Sequence, residues 1–122
     1  TVWPHVLPHL RRAIERSEGW TLDLANRKIH NSQALLWVVL DDGKAVGCAV
    51  TELHGNAAHI ALVGGVGWPR WRSEILKIYE WAMLAGCRCV TVDGRAGWSR
   101  LLLAEGFTKA GDGTLTKDLP HG

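Results

Sequence analysis

The chain of 122 residues has little of several features that would direct it to particular classes of protein. Its longest apolar run, Leu35 to Leu40, is far too short to cross a bilayer, so we expect no membrane association. The first residues, Thr1 to His5, lack the charged and apolar segments of a secretory signal, and we expect a cytoplasmic protein. The net charge is only +2, so the total charge does not direct the chain to nucleic acid.

Cysteine is also scarce, with only Cys48, Cys87 and Cys89. An odd number with two in a Cys-x-Cys pair does not make a disulfide framework, and we expect reduced, partly buried thiols. His5 and His9 are four residues apart, but no third ligand is near them, and zinc needs three or four ligands. We therefore predict no metal site, and no catalytic cysteine because Cys87 and Cys89 lack an obvious basic partner.

Apolar and charged residues are present in ordinary amounts, 47% and 21%, which is typical of a globular protein. The length predicts a single domain over residues 1–122. Tryptophan is abundant, with seven residues against one Phe and one Tyr. Seven is many for so small a core, so we expect at least two on a surface that a partner covers.

The hydrophobic periodicity predicts the order ααβββαβαββ. The first predicted helix begins near Leu7 or Pro8 and ends at Gly19, and the second covers Thr21–Ile29. The third follows Pro69, has an apolar face from Trp71 to Ala82 and is capped by Gly86, and the fourth covers Gly94–Ala104. The predicted strands are Leu35–Leu40, Ala45–Leu53, Ala58–Val63, Arg88–Val92, Phe107–Ala110 and Thr114–Lys117. We expect Leu35–Leu40 to be buried on both faces because it is continuously apolar. The order predicts an α/β fold with a central mixed sheet and helices on both faces.

Two stretches resemble the GNAT superfamily of acyl-CoA N-acyltransferases. Residues Leu84 to Val90 are similar to the end of that family's long helix and its following strand. Residues Leu101 to Phe107 are similar to its final helix, which ends at a Gly-Phe pair. The element order is similar to that of the family without its first strand. The resemblance implies a GNAT-like fold, with acyl-CoA in a splayed gap between two parallel strands and its pyrophosphate at a helix N-terminus.

The loop at that helix N-terminus departs from the family pattern Gln/Arg-x-x-Gly-x-Gly/Ala. Val66 stands at the Gln/Arg position, and Pro69 and Trp71 stand at the glycine positions. Proline removes an N–H donor, and tryptophan fills the space that the phosphates need. These departures predict that no cofactor binds. In an alternative alignment, acetyl-CoA is cradled by the earlier glycines Gly64, Gly65 and Gly67.

The catalytic positions depart from the family as well. Arg95 and Leu102 stand where the family often has an Asn and a general-acid Tyr, and leucine cannot donate a proton. Ser99 is the nearest hydroxyl, and Glu52 on the second strand is a candidate base. Exposure to solvent is the favoured interpretation of both side chains. We therefore predict no catalytic residue and lean against an enzyme.

Tryptophan and arginine residues cluster at the starts of two helices that follow parallel strands. Such N-termini are expected at the same edge of the sheet. Clustered Trp and Arg are typical of protein interfaces, while in the alternative the Trp side chains fill the core and the arginines only solvate its rim. The predicted partner-binding residues are Trp68, Arg70, Trp71, Arg72, Arg95, Trp98 and Arg100.

The stretch Asp93 to Arg100 resembles small GNAT-like proteins of tailed bacteriophages. We therefore interpret the chain as a non-catalytic GNAT-like assembly module with protein partners, such as a head–tail or tail component of a virion. One alternative is an acetyl-CoA-dependent N-acyltransferase. A second is a nucleic-acid-binding module using Arg70, Arg72, Arg95 and Arg100, although we do not expect a nucleic-acid partner.

Overall fold

A computed structural model describes residues 3–15, 17, 19–65, 68–92, 99–111 and 113–120. Its elements follow the predicted order ααβββαβαββ. The helices are α1 (Trp3–Glu15), α2 (Leu22–His30), α3 (Trp68–Leu84) and α4 (Ser99–Ala104). The strands are β1 (Leu35–Asp41), β2 (Lys44–His54), β3 (Ala57–Gly64), β4 (Cys89–Val92), β5 (Thr108–Lys109) and β6 (Leu115–Asp118).

Within the described residues, the strands form one six-stranded sheet in the order β1-β2-β3-β4-β6-β5. Strands β3 and β4 are parallel, because α3 carries the chain back across the sheet between them, and the other neighbouring pairs are antiparallel. This mixed sheet with helices confirms the predicted α/β class.

Each face of the sheet is covered by its own apolar cluster. Strand β3 contributes to both, since Ile60 belongs to the cluster under α3 and α4, and Leu62 belongs to the cluster under α1 and α2. The α1 side is anchored by Val6 and Leu10. The α3 side includes the buried residues Trp71, Ile75, Ile78, Tyr79, Leu102 and Phe107. None of the helices among the described residues is long and apolar enough to cross a membrane.

Two details differ from the sequence prediction. Helix α1 begins at Trp3, with Pro8 inside it, rather than near Leu7 or Pro8. The missing Pro8 N–H costs one backbone hydrogen bond, which burial of the α1 face against the sheet offsets. The expectation that β1 is buried on both faces is wrong: Leu35 and Leu40 are exposed by 44% and 49%, because β1 is an edge strand.

Candidate functional site

Strands β3 and β4 run side by side from Ala57 and Cys89 to Ile60 and Val92. Residues 93–98 lie outside the described residues, and β3 continues to Gly64. We call the end of β3 over residues 61–64, which follows this described pairing, the β3–β4 gap.

A β-bulge lies at the same point of β3. Ile60 pairs with Thr51 of β2, but the next pair joins Leu62 to Val50, so Ala61 is an extra residue. A bulge bends the strand and disrupts the regular ladder. Ala61 is thereby left out of the regular pairing with β2.

Helix α3 begins immediately after the gap. Its first turn carries no acidic residue and includes Arg70 and Arg72. The unbonded N–H groups and the dipole of a helix N-terminus favour an anion, and the two cations add to that potential. Pro69 removes one N–H, but in the first turn that group makes no intrahelical bond, so the helix itself is not disturbed.

The two arginines at this end are held in different directions. Arg70 donates from Nη2 to the Leu40 carbonyl oxygen at 3.0 Å, and its Nε lies 3.7 Å from Oε1 of Glu74. Arg72 reaches the other way, with Nε at 2.9 Å from Oε1 of Glu105. Both side chains stay largely exposed at the mouth of the gap, 43% and 67% respectively.

Trp71 lies beneath the sheet and not on the surface. It is only 2% exposed and packs among core residues of α3, β3 and β4. The remaining apolar cavity there has a volume of about 10 Å³, and Leu102 of α4 closes another side of it. The indole therefore fills the space under the β3–β4 gap, and the placement of Trp71 in a partner-binding surface is wrong because a buried ring reaches no partner.

The remaining predicted surface residues are only partly described. Arg100 is exposed on α4, and Trp68 is the first residue of the α3 backbone. Arg95 and Trp98 lie outside the described residues, as do Val66 and Gly67 of the loop. Of the predicted arginines, the structure thus places Arg70 and Arg72 near the start of α3, with their side chains held in different directions.

Two glycines of the alternative cradle have a packing role. A Cβ at Gly64 would collide with the carbonyl oxygen of His9 on α1, and a Cβ at Gly65 would collide with the backbone of Val46 and Gly47. Gly65 also has a φ of +99°, which disfavours other residues. Glycine is thus required where the end of β3 meets α1 and β2, and a phosphate is not needed to explain either residue.

The buried thiols and the single tyrosine lack the properties of catalytic groups. Burial raises the pKa of Cys48 to about 12 and raises the pKa of Cys87, which the neighbouring Cys89 thiol raises further. Burial, with a smaller effect of Glu105, raises the pKa of Tyr79 to about 12. These groups stay protonated near neutral pH and are poor nucleophiles or bases.

A row of polar side chains crosses the opposite face of the sheet, beside the gap. The Cα register places Glu52 of β2 opposite His59 of β3, and His59 opposite Thr91 of β4. Nδ1 of His59 lies 2.8 Å from Oγ1 of Thr91. The ring of His54 stacks on His59 with centroids 5.1 Å apart, and Nε2 of His54 lies 3.4 Å from Oε1 of Glu52. Lys28 of α2 completes the row at 2.6 Å from Oε2 of Glu52.

The sequence interpretation missed this row. Glu52 was expected to face water, yet it is 9% exposed and paired with Lys28. In the sequence, His54 and His59 flank a turn, which favours a structural role for both. The signal that would have found them is the hairpin register, which puts Glu52 and His59 on one face. No three His, Cys, Asp or Glu side chains in the described ranges are grouped as a metal site.

The solved structures that share this fold include acetyltransferases. N-acetylglutamate synthase from Neisseria gonorrhoeae, in complex with coenzyme A and N-acetyl-glutamate, matches with a TM-score of 0.75 and 16% identity over 97% of this chain. The chain spans only 33% of that enzyme. A GNAT family acetyltransferase from Elizabethkingia anophelis, with acetyl-CoA bound, matches with a TM-score of 0.74 and 11% identity over 93% of this chain and 90% of its own.

A third match is the ribosomal-protein-S18-alanine N-acetyltransferase from Escherichia coli, with a TM-score of 0.67 and 14% identity over 95% of this chain and 89% of its own. No protein-family model and no curated protein matches the chain. The structural likeness confirms the predicted GNAT-like fold, and it does not show the resemblance to phage proteins.

These findings overturn the main functional interpretation. The interpretation of the chain as a non-catalytic assembly module of a tailed-phage virion is wrong. Its structural neighbours are acetyltransferases, and two of those named above hold coenzyme A or acetyl-CoA. The interpretation rested on a Trp and Arg surface in which Trp71 is now buried. The alternative, an acetyl-CoA-dependent N-acyltransferase, fits the comparisons better.

Proposed function

We propose that the chain transfers an acyl group from acyl-CoA to an amine. The observation that carries the proposal is the bulge at Ala61 with the start of α3 at the same end of β3, just past the described pairing of Ile60 with Val92. In the proposal, the backbone of this end of β3 and the basic helix N-terminus are two adjoining sites, one for amide groups and one for phosphate.

The residues at the gap fit acyl-CoA. The backbone of β3 beyond Ile60 would hold the amides of its pantetheine arm, and the start of α3 with Arg70 and Arg72 would hold its pyrophosphate. Guanidinium groups suit phosphate because they donate several hydrogen bonds in one plane. When bound, the thioester supplies an acyl carbon that an amine attacks. Trp71 limits the space below the strands and favours a short acyl group.

The acceptor amine approaches from the side of the polar row. The other side of the gap is filled by Trp71 and its neighbours. On the α1 side, the described apolar cluster includes no residue of β4 or β6, and Thr91 and Thr116 are only half-buried there. A reacting amine must lose a proton, and His59 is a titratable group next to Ile60, where the described pairing with β4 ends. His59 is therefore the proposed proton acceptor.

Binding and turnover of acetyl-CoA test this proposal. We expect calorimetry to detect acetyl-CoA binding, and mass spectrometry to detect acetylated product in a panel of polyamines, lysine peptides and free peptide N-termini. Removing two charges by Arg70→Gln and Arg72→Gln weakens binding by about tenfold or more, which is the effect of about 1.4 kcal/mol.

The matched control is Arg11→Gln with Arg27→Gln, which removes two exposed arginines from α1 and α2 on the other face. It should leave the dissociation constant unchanged. Thermal unfolding without ligand verifies that both double variants are folded. The proposed function would be refuted if the wild type neither bound acetyl-CoA nor produced any acetylated amine.

A further inference from the structure

The sheet has two edges, and the sequence protects only one of them. At one edge, β5 is two residues long, Thr108 and Lys109, both exposed, so this border is short and charged. At the other edge, β1 covers Leu35–Asp41, and its first six residues include no charge, proline or glycine. Sheets usually carry one of these devices at an exposed edge, because unpaired N–H and C=O groups bond another strand. Among the described residues, no strand pairs with the outer side of β1.

Apolar side chains follow this unprotected edge along its whole length. Leu35 and Leu40, near its two ends, are exposed by 44% and 49%. Between them, Trp37 packs edge-on against Trp81 of α3, with ring centroids 5.5 Å apart. Cavities of about 90 Å³ and about 510 Å³ lie between β1 and α3, the first beside Trp37 and the second beside Leu35 and Trp81. An added strand with apolar side chains would cover this surface.

Strand β1 of a second copy has the side chains that such a strand needs. In an antiparallel pair about a twofold axis, directly opposite residues lie on the same face of the sheet, so the axis passes through a residue. With the axis at Trp37, residues 34–40 of one copy lie opposite residues 40–34 of the other. Every opposed pair is then apolar: Leu35 with Val39, Leu36 with Val38, Leu40 with Ala34, and Trp37 with itself.

The neighbouring registers fit less well. An axis at Val38 would place the Asp41 carboxylate opposite Leu35, and an axis at Leu36 would place Leu40 opposite Ser32. Only the axis at Trp37 covers both exposed leucines of each copy with apolar side chains. The sequence of β1 is therefore complementary to itself in one register.

The charges at both ends of this pairing are complementary as well. Asp41 would lie opposite Gln33 of the second copy, and Asp42 follows Asp41 in the exposed hairpin, where Lys44 offsets one of the two carboxylates. The Gln33 N–H bonds the Lys28 carbonyl oxygen at 2.7 Å, so Gln33 lies directly under the last turn of α2. That turn carries three basic residues, Arg27, Lys28 and His30. By symmetry, an acidic hairpin meets a basic helix end twice.

The area at this edge reaches what a specific dimer needs. The seven residues of β1 span about 24 Å and the seventeen of α3 about 25 Å, each about 10 Å wide. These two elements therefore present about 500 Å² per copy, or about 1,000 Å² in total, which is the lower end of specific interfaces. We expect a dimer that dissociates on dilution.

We propose that the chain forms a twofold-symmetric dimer in which the β1 strands of two copies pair antiparallel about Trp37 and join the two sheets into one. The ladder covers residues 35–39, because the Leu40 carbonyl oxygen already accepts from Arg70 and the Ala34 N–H already bonds Lys28. The inference does not rest on acyl transfer, since two strands separate β1 from β4.

The first experiment is sedimentation velocity over a range of concentrations. The wild type should shift with concentration from a monomer of 13.4 kDa to twice that mass. Leu35→Lys and Leu40→Lys each place a charge at the edge and should raise the dissociation constant by about tenfold or more. The matched control is Leu103→Lys, because Leu103 is 46% exposed on α4 and should leave the dissociation constant unchanged. Thermal unfolding verifies that all three variants are folded.

The second experiment tests the register by disulfide formation. In the double variant Gln33→Cys with Asp41→Cys, the two new thiols of one chain are about 26 Å apart and cannot pair with each other. Across the proposed axis, directly opposite residues have Cα atoms about 4.5–5.5 Å apart, which suits a disulfide. We expect a covalent dimer on a non-reducing gel for the double variant, and little for either single variant.

Three results would overturn the inference. The first is a wild type that sediments as a monomer at every concentration. The second is a dimer that neither Leu35→Lys nor Leu40→Lys weakens, because the interface would then lie on another surface. The third is covalent dimer formed equally by the single variants, which would contradict the axis at Trp37.

Discussion

Replacing Trp71 by alanine tests whether the indole is a core residue under the gap. An aromatic side chain of this size buries about 200 Å², which at about 25 cal/mol per Å² corresponds to about 5 kcal/mol. Measured Trp→Ala changes in cores lie at about 3–5 kcal/mol because the cavity partly collapses. On the side of the ring that faces Ile60, Val92 and Leu102, only about 10 Å³ is empty, so the packing there is already close and much of the loss should be realised.

The assay is urea unfolding monitored by circular dichroism, with thermal unfolding as a second measurement. For 122 residues, about 4 kcal/mol corresponds to a fall in Tm of about 15 °C. The control on the same helix is Leu84→Ala, because Leu84 is 83% exposed and its loss should change stability by less than about 0.5 kcal/mol. A loss below about 1 kcal/mol in Trp71→Ala would refute the burial of the ring and the short-acyl argument built on it.

Three further predictions follow from the structure. Gly64→Ala should destabilise the fold by about 3 kcal/mol, because its Cβ meets the His9 backbone, whereas Gly111→Ala has nothing within 4 Å and should be nearly neutral in urea unfolding. The pKa of Cys48 is raised from 9.0 to about 12, so between these pH values the folded state holds a proton that the unfolded chain loses. The contribution of this group to stability is therefore complete below about pH 9 and is lost as the pH rises toward 12. In unfolding measured against pH, Cys48→Ala should make this loss of stability smaller. We also predict no binding of DNA or RNA at low salt in a fluorescence anisotropy assay, and tight, strongly salt-dependent binding would contradict the assignment of Arg70 and Arg72 to acyl-CoA.

The fold could be predicted further than the site because it depends on local patterns. Alternation in β3 and the periodic face of α3 identify those elements from neighbouring residues alone, and the Gly-Phe ending of α4 fixes a boundary. The exposure of Leu35 was not predictable in the same way. A continuously apolar segment favours a strand in the centre of a sheet. Strand β1 lies at the edge of the sheet because only β2 pairs with it among the described residues, and this pairing is not visible in the local sequence.

The site depends on contacts between distant parts of the chain. The start of α3 with Arg70 could be placed from the sequence, but the choice between core and surface for Trp71 needed the position of the sheet above it. Glu52, His59 and Thr91 are separated along the chain and meet only through the register of three strands. From its residue type alone, Glu52 was predicted to face solvent. In the structure it is instead buried and paired with Lys28 of α2.

The extra residue in β3 also adds one side chain to the α1 layer without changing the sides that the following residues face. Ala61 and its neighbour Leu62 both pack on the α1 side, so the in-and-out alternation skips one step before Val63 turns to the α3 side. Removing Ala61 would restore an even ladder and leave Leu62 on the α1 side and Val63 on the α3 side. The bulge and the packing of the two helix layers are thus separable, and a one-residue deletion at Ala61 should make β3 regular without exchanging the layers.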